Sequence, residues 1–258
     1  MQQVVFGSKI LKTDRPAFVM GIVNATPDSF FSGSRGGVER ALKLIEEGAD
    51  VLDIGGESTR PGYTPVSAEE EINRILPVLT EIRKNSNIPV SIDTTKLEVY
   101  KAAFENGADV WNDVCALSGK VENAEYIGRT GSGVILMHNG AGNLEDVNKY
   151  LEEQVQFCIS HGVPLEKIFV DPGIGFGKSN EQSINLIKNT GALCDGKYPI
   201  LMALSRKRCI GEMTGKPTEE RMAGTLAADL LSVQKGAVMV RVHDVSETID
   251  GLNVMKYL

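Results

Sequence analysis

Eight short apolar runs in this chain end in residues able to do chemistry: Asn24, the stretch Gly55-Gly56-Glu57-Ser58-Thr59-Arg60, Asp93, Asn112, His138, Asp171, Ser205 to Lys207, and Arg241 with His243. Carboxylates that converge on one place repel each other unless a ligand or cation compensates them. Asp93 and Asp171 therefore imply a compensating partner, although both also open loops (Asp93-Thr94, Asp171-Pro172) and fit a turn role. Arg241 and His243 alternate along one strand, so they face the same way and suit an oxyanion such as phosphate. Ser205 and Lys207 follow an apolar strand directly, and Arg206 with Lys207 also fits a solvated basic turn. Asn24 leads into a Gly/Ser loop carrying Phe30 and Phe31, the makings of a lid.

The elements that must position these groups are legible in the apolar pattern. The runs FVMGIV, DVLDIG, IPVSID, ADVWND, GVILMH, KIFVDP, PILMAL and VMVRVH lie between turn signals and read as strands buried on both faces. Between them come helical stripes, with Val38, Leu42 and Ile45 on one and Val99, Ala102 and Ala103 on another. A faint repeat, EEGADVLDI, ENGADVWND and QKGAVMVRV, puts Gly48, Gly107 and Gly236 where helix ends favour a left-handed residue. Strands alternating with helices imply parallel βαβ units. Eight such units in 258 residues match an α/β fold, the TIM (β/α)8 barrel, whose chemistry sits at the C-terminal strand ends. An open doubly wound sheet is the alternative. The opening VVFGSKILK reads as an N-terminal β-hairpin turning at Gly7-Ser8-Lys9 and plugging the barrel bottom, and residues 1–258 read as a single domain.

Several features narrow the function. PGIGFGKS (Pro172 to Ser179) has Pro172 in place of the first glycine of a phosphate loop and lacks dinucleotide spacing. Its glycines are better suited to bending the backbone around a flat ligand near Phe176. His161, before Gly162, reads as a helix-end residue, whereas His138 fits either packing or ligand contact. A net charge of -7 without a basic run argues against nucleic-acid and membrane partners. Four dispersed cysteines and an N-terminus without an apolar signal segment fit a cytoplasmic protein with free thiols.

With these residues in place, the chain closely resembles the dihydropteroate synthase family. The carrying motifs are MGIVNATPDSF (20–30), DIGGESTRPG (53–62), SIDT (91–94), ND (112–113), DPGIGFGK (171–178), SRK (205–207) and RVHDV (241–245). The resemblance implies a TIM-barrel homodimer of the cytoplasm and a sulfonamide target. Its reaction condenses 6-hydroxymethyl-7,8-dihydropterin diphosphate with 4-aminobenzoate, using Mg²⁺, in an SN1-like substitution that releases diphosphate. It assigns the pterin to Asp93, Asn112, Met137, Asp171, Phe176 and Lys207. It assigns diphosphate to Asn24, Thr59, Arg60, Arg241 and His243, with Asn24 also holding Mg²⁺. Aminobenzoate falls to Phe30, Thr59, Arg60, Pro61, Ser205 and Lys207, and catalysis to Lys207, Asp93, Arg241 and Asn24, with Asp28 in the first closing loop.

The chain departs from the family pattern twice. Ser32 stands where an acidic residue is usual, and Ala203 where a glycine is common, which is expected to narrow the pterin pocket. Two rival readings share the barrel. A corrinoid-dependent methyltransferase domain needs no diphosphate site, against which Arg60, Lys207, Arg241 and His243 speak. A non-catalytic pterin-binding barrel would bind the diphosphate ester without amine-dependent release.

Overall fold

The chain begins with an antiparallel pair, β1 (Gln2–Phe6) and β2 (Lys9–Thr13), in which Phe6 opposes Lys9 across the turn. Gly7 takes a left-handed φ of +63°, and a Cβ there would strike the backbone of Asp109, so the turn requires glycine. Phe6 is fully buried and meets Phe169 edge-on at 5.5 Å. It joins a cluster with Phe18, Met20, Val51, Val110, Ile135, Leu201 and Met239, which closes the barrel bottom as the hairpin reading expects.

The computed structural model describes residues 1–25, 37–57 and 65–258. All eight apolar runs are strands: β3 (Phe18–Asn24), β4 (Val51–Gly55), β5 (Val90–Asp93), β6 (Val110–Asp113), β7 (Gly133–Met137), β8 (Ile168–Asp171), β9 (Leu201–Met202) and β10 (Met239–Val242). They pair in parallel in the order β8-β7-β6-β5-β4-β3-β10-β9. A single parallel bridge, Val170 to Ile200, joins the ends, so the sheet is a TIM barrel rather than an open doubly wound one. β9 is much shorter than its run PILMAL: Pro199 has no N–H to give to a ladder at its start, and Ala203 and Leu204 lie past the strand's end.

Helices α1 (Gly37–Glu46), α2 (Ala68–Asn85), α3 (Leu97–Glu105), α4 (Val121–Thr130), α5 (Leu144–Ser160) and α6 (Asn180–Lys188) each follow a strand. After β9 come α7 (Arg208–Thr214) and α8 (Met222–Gln234), and α9 (Val245–Met255) follows β10. Gly48, Gly107 and Gly236 have φ of +93°, +97° and +108°, as the repeat predicts. The α1 stripe differs from expectation: its buried centre is Ala41 and Leu44, flanked by Val38 and Ile45, while Leu42 is only half-buried. Close approach to the sheet favours the small Ala41 over the bulkier Leu42. Among the described residues, no helix is long and apolar enough to cross a membrane.

Candidate active site

Alternation along the strands builds the site. Side chains two residues apart share a face, and the inward positions step from apolar to polar toward the C-terminal end. Val51 is followed by Asp53, Val110 by Asn112, Phe169 by Asp171 and Met239 by Arg241. Each apolar member belongs to the inner cluster above the hairpin, and so does Ala203. A polar layer thus rests on an apolar floor, at the barrel end where this fold places chemistry. Register aligns Asp53 with Ser91, Asp93 with Asn112, and Met137 with Asp171 on neighbouring strands.

Asp53 is fully buried, and its carboxylate is the junction of this layer. Oδ1 accepts the Ser91 hydroxyl, while Oδ2 accepts Asn112 Nδ2 at 3.1 Å and Arg241 Nε at 2.6 Å. Arg241 also donates from Nη2 to Asp93 Oδ2 at 2.8 Å. Burial pushes the Asp93 carboxyl up to about 7 against the pull of Arg241, with the Asp53 charge adding to the rise. Asp93 Oδ1 is buried and has no hydrogen-bond partner among the described residues. An acceptor left unpaired in this way favours a ligand that brings a donor.

Across the mouth, Asp171 Oδ1 accepts the Gly173 N–H at 2.7 Å. Burial raises this carboxyl, opposed by that hydrogen bond and by Lys207. The Lys207 ammonium lies 4.3 Å from the centre of the half-buried Phe176 ring, a cation–π contact. Burial lowers Lys207 to about 8, with Asp171 working the other way. Met137 is buried at the end of β7. The glycines of 173–177 do bend the chain: Gly173 has φ +68°, and a Cβ there would collide with the His138 carbonyl oxygen. Lys178 is no phosphate ligand, because its buried ammonium donates to the carbonyls of His138, Gly140 and Gly173 at 3.0–3.1 Å, with His138 Nδ1 also 3.0 Å away. That contact, with the His138 ring edge-on to Tyr150 at 5.0 Å, settles His138 as a packing residue. His161 caps α5 with Nδ1 2.7 Å from the Phe157 carbonyl.

The last two strands supply the rest. Ser205 Oγ accepts the His243 backbone N–H at 3.1 Å and pairs with His243 Nδ1 at 2.8 Å. Burial, aided by Arg241, drives the His243 imidazole down to about 4. Of this pair, Arg241 brings the positive charge to an oxyanion at neutral pH, and His243 brings a hydrogen-bond donor. Arg206 is not a solvated turn: it has φ +57° and pairs with Asp244 at 2.7 Å. Asn24 is exposed at the end of β3, beside Gly55 in register. Among the described residues no cluster of three or more His, Cys, Asp or Glu could hold a metal. A single amide oxygen suits a hard cation that keeps its waters and takes phosphate oxygens. Asp28, Phe30, Phe31, Ser32, Thr59, Arg60 and Pro61 lie outside the described residues.

The barrel mouth therefore brings together Asp93, Asn112, Met137, Asp171, Phe176, Ser205, Lys207, Arg241 and His243. Sequence reasoning missed Asp53, Ser91 and Lys178. The signal for Asp53 was present, since a carboxylate inside the apolar run DVLDIG has to find a partner in the interior. Lys178 gave no such sign beside exposed-looking glycines.

Comparison with known proteins agrees with this geometry. The pterin binding enzyme family matches residues 20–243. A dihydropteroate synthase of Clostridium beijerinckii is 40% identical over 252 residues, covering 93% of this chain and 94% of that protein. The solved structure of Xanthomonas albilineans dihydropteroate synthase with 4-aminobenzoic acid superposes with a TM-score of 0.92 at 41% identity, covering 99% of this chain and 97% of that one. A structure of the Xanthomonas albilineans enzyme with 7,8-dihydropteroate gives a TM-score of 0.88 at 38% identity, covering 99% and 97% of the two chains.

Proposed function

The chain belongs to the pterin-binding enzyme family, and from that premise we infer that it is a dihydropteroate synthase, a transferase of folate biosynthesis. It joins 4-aminobenzoate to the methylene carbon of 6-hydroxymethyl-7,8-dihydropterin diphosphate and yields 7,8-dihydropteroate and diphosphate. The observation that carries this reading is a mouth lined by buried hydrogen-bond acceptors beside a flat cationic face. The acceptors are Asp171, Asn112 and the unpartnered Asp93 Oδ1, and the face is Lys207 over Phe176.

A pterin presents its 2-amino and N3–H groups as a paired donor edge, which one carboxylate accepts in two parallel hydrogen bonds. Asp171 takes that edge, Asp93 and Asn112 take the remaining ring nitrogens, and Met137 and Phe176 form the apolar walls. Arg241, His243, Asn24, Thr59 and Arg60 hold the diphosphate. The carbon–oxygen bond to diphosphate breaks first and its electron pair leaves with the phosphate. The dihydropterin ring spreads the resulting positive charge, which Asp93 stabilises from its buried position. The neutral amine nitrogen then bonds to the methylene carbon and loses a proton to water. Ser205, Lys207, Phe30, Thr59, Arg60 and Pro61 receive the aminobenzoate.

Asn24 would hold a Mg²⁺ ion, which would supply charge neutralisation on the leaving diphosphate. The same reading makes the protein a single-domain cytoplasmic homodimer and a sulfonamide target. Diphosphate release by the purified protein, with the pterin ester and Mg²⁺, is expected only when 4-aminobenzoate is present. Tight pterin binding without amine-dependent release would instead make this a binding protein.

A further inference from the structure

We propose that Asp53 is a positioning residue, one that touches no substrate but sets the orientation of Asn112 and Arg241 together. The inference rests on the pterin diphosphate reading above. Among the described residues, Asp53 is the one carboxylate in the layer whose two oxygens are both engaged by side chains of other strands. Its Oδ1 is anchored by the Ser91 hydroxyl on the adjacent strand, in direct register. That anchor fixes the carboxylate plane and points Oδ2 at Asn112 Nδ2 and Arg241 Nε.

Two consequences follow from donor and acceptor chemistry. An ionised carboxylate only accepts, so it draws the NH₂ end of the Asn112 amide inward. The amide oxygen then faces the mouth, where it accepts from a ring N–H. Without Asp53 the amide loses its directional partner and turns as readily the other way, presenting its own donors to that ring N–H. Arg241 has five N–H donors in a rigid fork. Asp53 takes Nε–H and Asp93 takes one Nη2 hydrogen, which leaves the outer edge of the fork for the oxygens of a diphosphate. One buried acid thereby couples the orientation of the pterin-reading amide to that of the anion-reading guanidinium. Tight binding of this kind needs both groups held before the ligand arrives.

The test compares two ligands, 6-hydroxymethyl-7,8-dihydropterin and its diphosphate ester, by calorimetry on the full-length protein. Asp53→Asn keeps an acceptor for Asn112 but removes the charge that grips Arg241. The alcohol should then bind within about threefold of wild type, while the ester weakens by about tenfold or more. Asp53→Ala removes both roles, so both ligands weaken, the ester more. A residue serving only the fold would lower the two affinities in step, so an unchanged ester-to-alcohol ratio in Asp53→Asn overturns the proposal. Should the Asp53 variants fail to fold, Ser91→Ala decides. It removes the anchor, and a ratio lowered by about threefold supports the proposal while an unchanged one overturns it. Wild-type protein that binds neither ligand would instead overturn the pterin reading itself.

Discussion

Arg241 is held between two carboxylates that the barrel buries, Asp53 at 2.6 Å and Asp93 at 2.8 Å. Removing the guanidinium leaves both acids without their cation. Arg241→Met should therefore lower stability by about 3–5 kcal/mol, the usual result of stranding one side of a buried ion pair. The penalty comes from ionised acid, so it shrinks in acid solution and grows as pH rises through about 7, where Asp93 loses its proton. Denaturant midpoints of wild type and variant across pH check this, and a difference constant with pH would sink it. Asp171 makes the complementary case on the ligand side. Among the described residues its carboxylate accepts one hydrogen bond, from the Gly173 N–H, so Asp171→Ala should fold normally yet lose measurable pterin binding. Unchanged affinity by calorimetry would contradict its reading of the donor edge.

Helix α8 contains an acid that the chemistry does not use. Asp229 is fully buried, and neither oxygen has a hydrogen-bond partner among the described residues. Burial, reinforced by the charge of Asp244, lifts its pKa well above the ordinary range. A folded-state pKa above the unfolded one means that the unfolded chain releases this proton first as pH rises. Stability from this residue is therefore lost above about pH 4 and keeps falling until the folded group ionises. Asp229→Asn removes that dependence, so its advantage in melting temperature should widen between about pH 5 and 8. An advantage that does not change with pH would mean that Asp229 is ionised and paired in solution. The loop before α6 shows the opposite arrangement, a buried charge fully satisfied: Lys178 reaches three carbonyls and a histidine and ties the β7 and β8 loops together.

At the scale of the whole barrel, the seam between β8 and β9 is its least paired place. A single bridge joins them, whereas β3 and β4 share five register pairs. Local opening should start where few backbone bonds must break. The Val170 amide, bonded to the Pro199 carbonyl at 3.0 Å, should exchange its hydrogen at least about tenfold faster than amides of the β3–β4 ladder. Equal protection would show a barrel that opens only as a unit. The chain's own pattern determined the eight strands, the glycines that end its helices, and the polar strand ends. These depend on periodicity and local backbone preference, which neighbouring residues carry. The partners within the site depended on closure. Nothing near Asp53 in sequence points to Arg241, which lies 188 residues away, and nothing near His243 shows that burial keeps it neutral. Only the closed barrel brings those residues within hydrogen-bond reach and excludes water from them. Pairing and charge state were therefore decided by the tertiary structure.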